Sequence, residues 1–251
     1  MSQQLPDGLT DWRNMFYGKK YNAYTYSNGS LLKIKNLLDQ LIGKEEIFVG
    51  IDPGYSGAMS FLDNNGKIID ILDIPLAYFV RKRRTKVKSS KNKKYKVKAH
   101  NYRQYKVVRK DFDVFLIDYL FCNISNVVPK VYIALEHVPP RISRNVSMGD
   151  VRIYSAWKMW HLYFLSLNFY FTDVYIADWR NHFQINSNTK ELSLKKARSL
   201  YPDCDLIRLK KDHNRAEALL LARFAYDNCK EIPWKRRAHA HYDWRIGGNY
   251  V

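Results

Sequence analysis

Ile47-Phe48-Val49-Gly50-Ile51-Asp52-Pro53-Gly54 is the stretch on which the fold turns. A short run of apolar and small residues predicts a buried strand, and Asp52-Pro53-Gly54 ends it with turn chemistry. Toward the C-terminus, Ser56 to Leu62 predicts a second strand. Asp63-Asn64-Asn65-Gly66 then reads as a tight turn and Lys67 to Ile74 as a third strand. The result is a meander with an acidic residue, Asp52, at the tip of its first strand. Toward the N-terminus, Leu31, Leu32, Ile34, Leu37, Leu38 and Leu41 recur at helical spacing, with Gly43 as the stop. Residues 1–44 therefore read as an N-terminal extension.

Beyond the meander the period alternates between helix and strand. Phe112 to Phe121 reads as a helix, and Val131 to Leu135 as an apolar strand followed by a second acid, Glu136. Val151 to Leu167 predicts a long aromatic helix, and Phe171 to Ile176 a fifth strand. Asn188-Thr189 caps a helix running to about Leu200, where Pro202 stops it. A final Ala/Leu-rich helix covers about Arg215 to Asn228, apolar nearly all round and so expected to lie buried on a sheet. This order predicts an α/β fold with a mixed five-stranded sheet flanked by helices. The main domain is expected over 45–230, with a basic insertion at 81–110 and a tail at 231–251.

The charge explains the insertion. The 251 residues hold 42 Lys+Arg and 24 Asp+Glu, a formal net charge of +18. Between Arg81 and Lys110 stand 15 Lys+Arg and no acid, so the other 221 residues, with 27 basic and 24 acidic groups, are close to neutral. Like charges at that density repel unless a polyanion neutralises them. Tyr95, Tyr102 and Tyr105, interleaved with the cations, suit phosphate contact combined with stacking, which points to nucleic acid. Arg81, Lys82, Arg83, Arg84, Lys93 and Lys94 are the candidate contacts; a solvated loop or a localisation signal is the plainer alternative. A membrane surface fits less well, because the segment has no amphipathic apolar face.

Other classes drop out quickly. Hydrophobic residues at 46% exclude global disorder. Cys122, Cys204 and Cys229, with no Cys-x-x-Cys pair, exclude a disulfide scaffold and a cysteine-type zinc module. The Met-Ser-Gln-Gln start lacks a signal peptide, and the apolar stretch Leu162 to Phe171 is too short to span a bilayer. A soluble, intracellular chain is expected.

Strand ends at one edge of an α/β sheet converge, so Asp52 and Glu136 can face one another. Glu217 lies just inside the final helix, with Asp212 before it. Converging carboxylates stay ionised only if a cation neutralises them. Hard oxygen donors suit Mg²⁺ or Mn²⁺, and two such ions would activate water against a phosphodiester. Taken singly, each acid has an ordinary reading: Asp52 as a turn residue, Glu217 as a dipole partner, Asp212 as an N-cap.

Gly50-Ile51-Asp52-Pro53-Gly54-Tyr55-Ser56-Gly57-Ala58 resembles the first motif of RuvC-type Holliday junction resolvases. Ile133-Ala134-Leu135-Glu136 resembles their second acidic strand, and Asp212-His213-Asn214-Arg215-Ala216-Glu217-Ala218-Leu219-Leu220-Leu221-Ala222 their closing helix. Asp178-Trp179-Arg180 and Lys190 through Pro202 are similar to the phage and organelle-type branch. The likeness covers about residues 46–228 apart from the basic insertion. It implies an RNase H-like fold, a homodimer, and two-metal cleavage of opposed strands at a four-way DNA junction. Carried across, Asp52, Glu136 and Glu217 match acidic ligands. The fourth stays open between Asp212, His213 and Asn214, with Asp212 preferred as catalytic and His213 as an alternative ligand. After Glu136 the chain departs from the family, with His137-Val138-Pro139-Pro140-Arg141 in place of an aromatic wedge. Arg141, Arg144 and Arg180 are further candidate DNA contacts. The aromatic helix, through Tyr154, Trp157, Trp160 and Tyr163, is the expected dimer face.

Three rivals remain. An actin-like or sugar-kinase ATPase needs a second glycine-rich phosphate loop, which 11 glycines do not supply. A nuclease of the same fold acting on other branched DNA or on RNA fits nearly as well. A non-catalytic branched-DNA-binding protein would not need so many of the expected acids.

Overall fold

The computed structural model describes residues 24–25, 30–82, 105–140, 147–167, 169–186 and 189–234. They divide into two compact units, one drawn from residues 33–74 and 119–251 and the other from 1–32 and 75–118.

The larger unit holds a five-stranded mixed sheet. Its strands are β2 (Glu46–Ile51), β3 (Ala58–Asp63), β4 (Ile68–Asp73), β7 (Lys130–Glu136) and β8 (Tyr170–Val174), in the order β4-β3-β2-β7-β8. The meander β2-β3-β4 is antiparallel, while β2, β7 and β8 run parallel. Central β2 is buried along Ile47–Ile51 because helices cover both faces of the sheet. On one face Phe48, Leu62, Ala134 and Val174 share a core with α6 (His213–Asp227). Strand alternation sends Ile47, Val49, Ile51, Ile133 and Leu135, all buried, to the opposite face.

α6 is buried over Ala216–Ala222, as its all-round apolar sequence requires. Its contact with β2 is close enough to dictate a residue. A Cβ on Gly50 would stand 2.1 Å from the Ala218 carbonyl oxygen and 2.2 Å from the Ala222 nitrogen, so only glycine fits. α3 (Met148–Ser166) buries Ala156, Trp157, Trp160 and Phe164. Trp160 and Phe164 stack at 5.6 Å and meet Phe121 edge-on, at 6.2 and 5.0 Å. Of the four residues of the expected dimer face, Tyr154 and Tyr163 are half-buried. Trp157 and Trp160 are core residues, and the exposed apolar side of the helix is Met148, Val151, Leu162 and Leu165. Among the described residues no helix is long and apolar enough to cross a membrane.

Several boundaries shift for local reasons. Helix α2 (Val114–Val127) starts later than expected, since Phe112 closes a strand and the Leu116 N–H donates to the Asp113 carboxylate at 3.2 Å. The fifth strand stops at Val174, and Ile176–His182 forms a short helix, α4, that seven residues are too few to announce by periodicity. α1 (Ser30–Leu41) buries Ile34, Leu37 and Leu41, and its residues from 33 onward belong to the larger unit. α5 (Lys190–Leu200) begins after Thr189 as expected.

The smaller unit contains a three-stranded antiparallel sheet, β1 (Tyr24–Thr25), β5 (Leu76–Lys82) and β6 (Tyr105–Phe112), with β5 in the middle. β5 and β6 pair from Leu76 against Phe112 to Lys82 against Tyr105. The basic segment thus springs from a two-stranded root, with Arg81 and Lys82 ending one strand. Arg83, Arg84, Lys93, Lys94, Arg141 and Arg144 lie outside the described residues.

Candidate active site

Parallel pairing of β2 with β7 puts both C-terminal ends at one edge, and Ile51 is in register with Leu135. The next residue on each chain is an acid, Asp52 and Glu136. Asp52 is fixed by its own loop, where the Gly54 N–H donates to Oδ1 at 3.2 Å. Gly57 closes that loop so tightly that a Cβ there would meet the Asp52 carbonyl oxygen at 2.0 Å. The first turn of α6 ties the loop down from the other side, as Asn214 Nδ2 donates to the Ser56 carbonyl at 2.5 Å. Glu217 stands one turn further along α6.

Two hydrogen-bond donors that sequence reasoning passed over hold the glutamates. Trp179 Nε1 donates to Glu136 Oε1 at 3.3 Å, and Ser193 Oγ donates to Glu217 Oε1 at 3.3 Å. Arg180 NH2 lies 3.8 Å from the same Glu217 oxygen, and its guanidinium rests over the Trp179 ring. Arg180, expected as a DNA contact, therefore belongs to the acid cluster. A third unforeseen residue is Lys190, at the start of α5. Its amine donates to His213 Nε2 at 2.9 Å, and its charge acts on Asp52. The only signal for these residues was the Asp178-Trp179-Arg180 run and the stretch from Lys190, which carry no period of their own.

The electrostatics register the crowding. Burial pushes the Asp52 carboxyl up to about 6; the Gly54 hydrogen bond opposes this, Glu217 adds to it and Lys190 again opposes it. Burial pushes Glu136 up to about 8, with Asp52 and then Glu217 adding repulsion against the Trp179 bond and the Arg180 charge. Three carboxylates from β2, β7 and α6 thus act on one another across the sheet edge.

The candidates for a fourth position are each engaged elsewhere. Asp212 is buried, with Oδ2 accepting the Leu209 N–H at 2.7 Å and Oδ1 3.7 Å from Arg215 NH1. It closes the 3₁₀ turn Lys210–Asp212, and its side chain makes no cap bond to α6. Asn214 holds the Ser56 carbonyl and His213 accepts from Lys190. Among the described residues no three or more His, Cys, Asp or Glu side chains are gathered closely enough to hold a metal ion. What Asp52, Glu136 and Glu217 share is chemistry: hard oxygen donors whose mutual repulsion a nearby positive charge relieves.

The fold and site define an α/β protein with a flanked five-stranded mixed sheet and an acidic cluster at its strand ends. No protein-family model matches the chain, and no curated protein matches it either.

Proposed function

We propose that this chain is a metal-dependent, structure-specific endonuclease that cleaves four-way DNA junctions, an RNase H-like enzyme of the RuvC type. The observation that carries the reading is geometric: the parallel register of β2 and β7 sets Asp52 and Glu136 at one sheet edge, with Trp179 bonded to Glu136 and its neighbour Arg180 3.8 Å from Glu217. The order of those acids along the chain and the density of cations at 81–110 add support. Asp52, Glu136 and Glu217 would hold Mg²⁺ or Mn²⁺, two ions in the full arrangement. Bound there, the metal supplies an activated water and charge stabilisation for the leaving oxygen of a phosphodiester.

The chain's own residues do the rest. Trp179 orients Glu136 and opposes its protonation, while Arg180 and Ser193 set the rotamer of Glu217. Lys190 places a positive charge beside Asp52, where a scissile phosphate would approach. Paired cuts in opposed strands need two such sites related by a two-fold axis, hence a homodimer. Its best-suited helical face is Met148, Val151, Leu162 and Leu165.

A nicking assay on a four-way junction, beside linear duplex, flap and RNA-containing substrates, tests the reading. Paired, symmetric nicks dependent on Mg²⁺ are expected on the junction. Asp52→Asn, Glu136→Gln or Glu217→Gln should each lower cleavage by orders of magnitude while junction binding survives. Near-normal cleavage by Asp52→Asn would overturn the proposal, and preferential flap or RNA cutting would move the enzyme to another substrate.

A further inference from the structure

α5 leaves the acid cluster as a rigid spoke. Its first residue, Lys190, acts on Asp52, and its inner face of Ser193, Leu194 and Ala197 is buried, with Ser193 bonded to Glu217. Its outer face carries cations. Alongside run two 3₁₀ turns, Asp205–Ile207 and Lys210–Asp212, and between helix and turns lies a groove of about 380 Å³. Glu191, Leu194, Lys195, Arg198, Arg208 and Lys210 line it, and with Asp205 at the rim four cations stand against two carboxylates.

The groove is braced rather than loose. Arg198 donates from Nε to the Ile207 carbonyl at 2.8 Å and from NH2 to the Arg208 carbonyl at 2.5 Å, clamping the turns to α5. Two ion pairs sit at the rim, Arg208 with Asp205 and Lys210 with Glu191, and all four side chains are mostly exposed. Exposed pairs of this kind are weak in water, so a phosphate can compete for both cations. Four cations around one recess disfavour a metal or an apolar ligand, whereas a phosphodiester supplies the missing negative charge and several acceptors.

Position makes the inference specific. Along α5 the groove runs from Glu191 to Arg198, one to eight positions beyond Lys190, a rise of about 2 to 12 Å. Successive phosphates of one strand advance about 3.4 Å along a duplex axis, so that span corresponds to about one to four nucleotides. We propose that the groove between α5 and the 3₁₀ turns binds a backbone phosphate of a nucleic-acid strand within about four nucleotides of the acid cluster. This deepens the nuclease reading and rests on its nucleic-acid substrate, but not on catalysis.

The test uses the full chain and reads binding by fluorescence anisotropy in EDTA, so cleavage plays no part. Single uncharged methylphosphonates are scanned along each arm of a junction. Wild type should lose roughly tenfold in affinity at one position within about four of the cut, the size of one charge-assisted contact. The triple variant Lys195→Gln, Arg208→Gln, Lys210→Gln should bind more weakly throughout and lose nothing further at that position. Its salt slope should also fall by about 0.9 for each phosphate released. Arg198 is left in place because it braces the turns. A methylphosphonate effect that is equal in wild type and variant at every position would overturn the proposal. So would selective stabilisation of wild type by inorganic phosphate without any methylphosphonate effect, which would make the groove a free-anion site. A wild type that binds but never nicks would sink the nuclease reading and leave this result standing; one that binds no nucleic acid would sink both.

Discussion

Glu136 and Asp52 are carboxylates whose stability cost depends on pH. Burial raises both, so the folded chain binds protons more tightly than the unfolded chain, whose groups titrate at ordinary values of 4.5 and 3.8. The associated stability is fully present below those values. It is lost as pH rises through about 6 for Asp52 and about 8 for Glu136. In EDTA the thermal midpoint should therefore fall between pH 5 and pH 8.5. Glu136→Gln should flatten the upper part of that fall, and Mg²⁺ should restore stability most at the alkaline end. A midpoint that rises with pH over this range would contradict the raised values. Asp52 and Glu136 could be picked out in the sequence because each follows an apolar strand. Trp179, Ser193 and Lys190 could not, since a hydrogen-bond donor serving another element leaves no local pattern.

At the scale of elements, α6 assembles the site by pressing on β2 and holding the Asp52 loop. Gly50→Ala places a methyl group against two backbone atoms that cannot swing aside. The expected loss is about 3 kcal/mol or more, read as a lower urea midpoint, and a neutral outcome would mean that α6 can retreat. Asn214→Ala separates stability from function. The lost hydrogen bond to the Ser56 carbonyl should cost about 1 kcal/mol in stability. With the loop carrying Asp52 released, half-maximal cleavage should also need more Mg²⁺. An unchanged Mg²⁺ requirement would show that the tie does not position Asp52. Arg215 braces the same helix against β4, with Nε 2.7 Å and NH2 2.6 Å from the two Asp73 oxygens. That hydrogen-bonded guanidinium holds the Asp73 carboxyl below its usual range, so this contribution is present at neutral pH and fades as pH falls.

At the scale of the molecule, the formal net charge of +18 is concentrated in the segment rooted in β5 and β6. If about eight of its cations meet phosphates, they contribute about 7 to the slope of log affinity against log salt. Replacing the span between the two strands by a short Gly/Ser linker should weaken binding to all DNA and flatten the slope. Preference for a junction over duplex should survive, because phosphate contacts position the protein while the branch is read by shape. A linker variant that keeps its full salt dependence would show that the segment does not grip DNA.

The amino-acid sequence alone determined the alternation of strands and helices, the burial of the last helix, the acids at two strand ends and the basic segment. Each is written locally, as a run, a period or a charge density. Only the tertiary structure decided which partners those residues take. Trp157 and Trp160 face the core because α3 turns them there, although an aromatic helix suits an interface equally well in sequence. Asp212 accepts from the Leu209 N–H and lies near Arg215, partners that the 3₁₀ turn before α6 brings to it. Arg180 reaches Glu217 from a helix too short to be seen. Those choices depend on the packing angle and register of elements far apart in the chain, which no local pattern encodes.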